Sequence, residues 1–143
     1  MIRRTVLLTA VGLLLGGCSS MQQGSAIAPS VCTPGVCKVV VTITDCFAWD
    51  GIKTDPEPIV IGQSQLIQWR IHDSNSEYTF ASDGITINWN PGQEFDDPKL
   101  LAAGKMFSWH DKYTIKDKFK YTVNVRNRNG VRCRPYDPVI HNQ

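Results

Sequence analysis

Few residues in this chain are equipped for chemistry, and their spacing limits what they can do. Three histidines occur, two of them beside an aspartate, as His72-Asp73 and His110-Asp111. A base next to an orienting carboxylate is half of a nucleophilic site. Neighbouring residues of a strand point to opposite faces, however, so neither pair hydrogen-bonds internally. The chain has no G-x-S-x-G and no H-E-x-x-H to add a nucleophile or a metal-bound water. Both pairs therefore read as loop histidines, and a hydrolase built on His110-Asp111 is the weakest functional reading. Glu94, Asp96 and Asp97 cluster before Pro98. They lack the regular spacing of a calcium loop and read as a solvated acidic turn or a helix cap.

The amino terminus sets the compartment in which any chemistry would happen. Arg3 and Arg4 precede an apolar run from Thr5 to Leu15, which leads into Leu15-Gly16-Gly17-Cys18. A charged n-region, an apolar h-region and small residues at the end describe a secretory signal peptide over residues 1–17. Eleven residues rise only ~16 Å as a helix, short of the ~30 Å hydrocarbon core, so the run does not span a membrane stably. An aliphatic residue, two small residues and a cysteine resemble the lipobox of bacterial lipoproteins. The resemblance implies cleavage before Cys18, acylation of its thiol and amine, and permanent attachment to a membrane, since two or more chains hold firmly where one does not. Ser19 and Ser20 in place of an aspartate imply sorting to the outer membrane, facing the periplasm. Residues 19–31 are small and polar and read as a flexible tether.

Exported chains favour disulfides, and four cysteines remain once Cys18 is set aside: Cys32, Cys37, Cys46 and Cys133. If Lys38 to Asp45 is one strand, it separates Cys37 from Cys46 by about 30 Å, whereas a disulfide needs Cα atoms within about 7 Å. Cys32, five residues from Cys37, travels at most ~18 Å and is excluded from Cys46 as well. The pairing left is Cys32–Cys37 with Cys46–Cys133. A zinc site is a poor alternative for this spacing in an oxidising compartment. No metal and no cofactor is expected.

From Lys38 onward the apolar residues alternate with polar ones. Val39, Val41 and Ile43 make one such set, followed by Ile59 and Ile61, then Ile67, Trp69 and Ile71. Tyr78 to Ala81 is a weaker run, and Ile85, Ile87 and Trp89, then Phe107 and Trp109, then Phe119 to Val125 complete the series. About seven short strands between Asp, Asn, Gly and Pro turns predict an all-β, antiparallel sandwich or barrel over residues 38–143, after a tether and small disulfide loop at 18–37. One short helix is predicted at Pro98 to Ala103, with Asp97 as its cap and Gly104 as its stop. Trp49, Trp69, Trp89 and Trp109 fall twenty residues apart, each two after a Phe or an Ile. Evenly spaced strands supplying aromatic core explain this, and an aromatic row able to stack on sugar is the functional alternative.

The stretch Gly62-x4-Ile67-x-Trp69 and the strand Phe119-Lys120-Tyr121-Thr122-Val123 resemble those of cupredoxin-type domains. The resemblance implies a Greek-key sandwich (cupredoxin/Ig-like) and, in the family, copper binding or electron transfer. A blue-copper centre takes two His, one Cys and a weak axial Met. Here the only cysteine after Tyr121 is Cys133, His141 follows eight residues later, and no Met follows Met106. The fold carries over on this reading and the copper does not.

The full chain has a formal charge of +2, and losing Arg3 and Arg4 leaves it neutral. The neutrality hides a split. Asp45 to Asp111 is strongly acidic, whereas Lys112 to Arg134 holds eight cations, at Lys112, Lys116, Lys118, Lys120, Arg126, Arg128, Arg132 and Arg134, against Asp117 alone. All eight carry even numbers, opposite in phase to Phe119, Tyr121, Val123 and Val125. Lys118, Lys120 and Arg126 therefore share the outer face of one strand, with Lys116 and Arg128 extending it. Two explanations compete. Lysines on an exposed edge strand discourage pairing with other chains, and a basic face recognises an anionic partner such as phospholipid or lipopolysaccharide phosphates or an acidic protein. Nucleic acid does not belong in this compartment. The expectation is a non-catalytic, periplasm-facing envelope lipoprotein that binds through loops or this basic face, the alternative being a copper-handling cupredoxin-like protein.

Overall fold

The computed structural model describes residues 32–143. The expected signal peptide, the acylation site at Cys18 and the tether lie outside them. Among the described residues nine strands are formed: β1 (Val36–Ile43), β2 (Ile52–Asp55), β3 (Ile59–Ile61), β4 (Gln65–Ile71), β5 (Thr79–Ile87), β6 (Phe95–Leu101), β7 (Met106–Asp111), β8 (Lys118–Arg126) and β9 (Val139–Asn142). They build a five-stranded sheet in the order β2-β1-β4-β7-β6 and a four-stranded sheet in the order β3-β9-β8-β5.

Period-two alternation produces this arrangement. Cys37, Val39, Val41 and Ile43 of β1 and Ile67, Trp69 and Ile71 of β4 bury one face of the first sheet. Phe119, Tyr121, Val123 and Val125 of β8 bury the facing side of the second. Rings meet across the layers. Trp69 and Tyr121 lie 5.3 Å apart, Phe80 and Phe107 6.2 Å, and Phe95 and Phe119 5.0 Å, all tilted or edge-on as ring quadrupoles prefer. The all-β sandwich expected from the alternation is the fold.

The disulfides are Cys32–Cys37 and Cys46–Cys133, the pairing left by elimination. The second joins residues 87 apart in sequence, tying the loop after β1 to the segment after β8.

Three expectations need correction. The strands are not all antiparallel, because β1 runs parallel to β4 and β3 parallel to β9. Pro98 to Ala103 is not a helix. Residues 95–101 form β6, an edge strand whose Lys99, Leu100 and Leu101 pair with Ser108, Phe107 and Met106. A six-residue helix has little local stability, and the ladder with β7 prevails over the capping signals. Pro98 sits in the irregularity between Asp96 and Lys99, where its missing N–H interrupts no ladder bond. The tryptophans divide as well. Trp69 is fully buried and Trp109 partly so, its Nε1 donating to the Ile85 carbonyl at 2.9 Å, while Trp49 and Trp89 are 78% and 57% exposed. They form neither a shared core nor a single row. β2 and β9 carry too few alternating residues to stand out in the sequence, and both are strands.

Candidate binding surface

The basic face is built by β8. Its odd-numbered residues are buried, so Lys118, Lys120, Thr122, Asn124 and Arg126 point outward. β8 is an interior strand. It pairs with β5 along one side, and on the other with β9 and then with the segment that follows Arg126, through the bridges Val123–Tyr136 and Arg126–Arg132. The edges of this sheet are β3 and β5. Discouraging edge pairing therefore does not account for the lysines on β8.

The eight cations do not form one stripe. Lys118, Lys120, Arg126 and Arg128 take part in no ion pair among the described residues. Arg132 is neutralised by Asp83 at 2.6 Å, and this contact holds the Asp83 carboxyl below the usual range. Lys112 pairs with Asp96 at 3.3 Å. Arg134 lies over the Trp49 ring, 4.1 Å from its centre. Lys116 leaves the face altogether, its ammonium bonded to the Tyr113 hydroxyl and the Gln143 carbonyl. What remains is a lysine pair at one end of β8 and, at the other, Arg126 with Arg128 in the turn beyond, Lys120 and Arg126 standing about 20 Å apart along the strand.

Two further clusters were hidden in the sequence. Glu94, Asp111 and Asn142 come from three distant segments and are all buried. Glu94 Oε1 accepts from the backbone N–H of Thr114 at 2.7 Å and of Ile115 at 3.2 Å, and Oε2 accepts from the Thr114 hydroxyl. Burial pushes the Glu94 carboxyl up, but these hydrogen bonds prevail and hold it below its ordinary value. Asp111 Oδ1 accepts from Tyr113 N at 2.8 Å and from Asn142 Nδ2 at 3.2 Å, while Oδ2 meets no protein donor. Burial first, and then the neighbouring Glu94 carboxylate, raise Asp111 to about 6. The cluster fastens β9, β7 and the turn after β7 to one another. Having no open approach, it is a structural anchor.

The second cluster joins Ser64, His110 and Asp96. His110 faces Asp96, 3.0 Å from Nδ1 to Oδ1, and not its sequence neighbour Asp111, which points into the core. The Ser64 oxygen lies 3.3 Å from His110 Nε2. The order of contacts is that of a serine nucleophile, base and orienter, but the Ser64 hydroxyl donates to the Asp111 carbonyl at 3.0 Å. With that proton directed to the Asp111 carbonyl, Ser64 does not offer it to Nε2, and the contact lacks the proton path of an activated serine. The group is an exposed strut between the β3–β4 turn and β7. His72 caps the turn Asp73–Asn75 by accepting from Ser74 N, and Asp73 pairs with Arg70 at 2.9 Å. Glu94, Asp96 and Asp97 thus serve three separate purposes, Asp97 pairing with Lys99.

The residues do not fit a blue-copper centre, because the Cys133 sulfur is bonded to Cys46. Among the described residues, no three His, Cys, Asp or Glu side chains are grouped to hold a metal ion, and no helix is long and apolar enough to cross a membrane. The sequence matches no known protein-family model and no curated protein.

Proposed function

We propose that this chain is a non-catalytic lipoprotein of the bacterial cell envelope, held to the outer membrane by acylated Cys18, whose sandwich captures an anionic partner on the outer face of β8. The observation that carries the reading is the set Lys118, Lys120, Arg126 and Arg128, four cations on and just beyond an interior strand with no ion-pair partner among the described residues. Unpaired like charges on one face repel one another, and nothing in the pairing of the sheet requires them. Their division into two pairs about 20 Å apart along the strand suits an extended partner, a phosphate-bearing lipid surface above all, better than a small anion. The fold is read as a cupredoxin-like Greek key without its copper: Gly62-x4-Ile67-x-Trp69 leads into β4, Phe119 to Val123 lies on β8, and Trp69 packs on Tyr121 between them.

Sedimentation with vesicles tests the binding. The mature chain produced without its acyl groups, so that the anchor does not decide the outcome, is expected to sediment with phosphatidylglycerol vesicles in low salt and not with phosphatidylcholine vesicles. Lys118→Glu, Lys120→Glu and Arg126→Glu together should abolish the difference while leaving the unfolding midpoint near wild type. Equal sedimentation of wild type and triple variant excludes this face. Metabolic labelling with a clickable palmitate tests the anchor, which Cys18→Ala must remove.

A further inference from the structure

The loop after β1 presents an aromatic tip on a rigid mount. Asp45 Oδ1 accepts from Phe47 N at 2.9 Å and Ala48 N at 3.3 Å, and the Gly51 carbonyl accepts from Thr44 N at 2.8 Å. The Cys46–Cys133 disulfide and the bond from Arg134 N to the Cys46 carbonyl at 2.8 Å fix the loop to the far end of the chain. Phe47 and Trp49 nevertheless stand 62% and 78% exposed. Beside Trp49 lies a cleft of about 220 Å³, lined by Arg134, Pro135, Tyr136 and Asp137.

We propose that this cleft is a carbohydrate subsite that takes one pyranose ring of a glycan strand. The indole supplies a flat apolar wall, held in place by the Arg134 guanidinium over one face. A sugar has both an apolar C–H face and hydroxyls that donate and accept. The cleft brings both kinds of surface together, with the indole face that Arg134 leaves free for the C–H face and the polar lining residues Arg134 and Asp137 beside it for the hydroxyls. Asp137, a lining residue of the cleft, is anchored through Oδ1, which accepts from the Thr122 hydroxyl at 2.6 Å. The Asp137 carboxylate disfavours a simple anion there, so the ligand expected differs in chemistry from that of the basic face, which the cleft adjoins through Thr122. The volume falls below the roughly 300–1,000 Å³ of sites for larger ligands and suits a single ring. The mount is preorganised, so little ordering opposes binding.

The test uses the full exported chain in detergent and tetra-N-acetylchitotetraose as the probe, followed through the four indole N–H resonances. A saturable shift of the Trp49 resonance, leaving that of buried Trp69 in place, supports the subsite. Trp49→Ala must weaken binding by about tenfold or more, and Trp49→Tyr must restore most of it. Because Trp49 is exposed, both variants should keep the wild-type disulfides and unfolding midpoint. No saturable shift with this sugar, or equal affinity in Trp49→Ala, overturns the proposal. Sugar-independent capture of an acidic protein through Trp49 overturns it too, and assigns the tip to a protein partner.

Discussion

Asn142, next to last in the chain, donates its side-chain amide to Asp111 at 3.2 Å inside the core, where both residues are almost fully buried. That bond fastens β9 to β7, and so one sheet to the other. Its partner Asp111 is the one aspartate raised well above its ordinary value, to about 6, by burial and by Glu94.

Stability should therefore rise on mild acidification. The folded form holds the Asp111 proton up to about 6 while the unfolded chain releases it near 3.8. Between those values the folded state binds more protons, and stability falls as pH rises through the window. The difference is worth about 3 kcal/mol at most. Glu94 opposes this only at lower pH, because its folded value is depressed and its contribution is lost as pH falls. Urea unfolding at about pH 5 and about pH 7 checks the slope. Asp111→Asn should flatten it and raise stability at neutral pH, and an unchanged slope would show that Asp111 is not the group responsible.

The two disulfides should contribute unequally. Cys46–Cys133 closes a loop of 87 residues and Cys32–Cys37 one of five. Chain-entropy models give about 4–5 kcal/mol for the first and about 2 kcal/mol for the second. The double variant Cys46→Ala/Cys133→Ala should show a much larger drop in unfolding midpoint than Cys32→Ala/Cys37→Ala. It should also release the Trp49 loop, seen as a shift in tryptophan emission.

Much of this architecture was legible along the chain, because an alternating strand writes its own burial. Val39, Val41 and Ile43, and likewise Phe119 to Val125, face inward as their spacing predicts, and the cysteines paired as their separation requires. The residues that assemble across distance were not legible. Glu94 reads as one member of an acidic turn until the chain brings Thr114, Ile115 and Asn142 to it. Asp96 finds His110 only because β6 pairs with β7. Asp97-Pro98 carries strong helix-start signals, yet pairing with a neighbouring strand outweighs local preference. That Lys118 and Lys120 lie on an interior strand required the strand order, which no local pattern encodes.

The Ser64–His110–Asp96 contact should have no acyl-transfer chemistry. Ser64 is expected to resist a fluorophosphonate probe, and His110→Ala should leave that background unchanged. His110→Ala should leave the unfolding midpoint close to wild type, as the loss of an exposed polar contact does. Specific labelling of Ser64 that His110→Ala abolishes would reverse this assignment.

Two glycines separate crowding from backbone conformation. A Cβ on Gly51 would sit 1.8 Å from the Asp45 carbonyl oxygen, a backbone atom that cannot step aside. Gly51→Ala must displace the whole turn from Asp45, breaking the bonds from Thr44 and Asp45 N–H to the Gly51 carbonyl. The cost should be about 3 kcal/mol, at the upper end for overpacking. Gly92 has open space around it but a φ of +60°, so Gly92→Ala meets only the left-handed penalty of about 1 kcal/mol. Gly51→Ala should also broaden the Trp49 indole resonance, because the same turn carries the aromatic tip, whereas Gly92→Ala should leave it sharp. Comparable losses in the two variants would mean that the Asp45–Gly51 turn yields more readily than its hydrogen bonds imply.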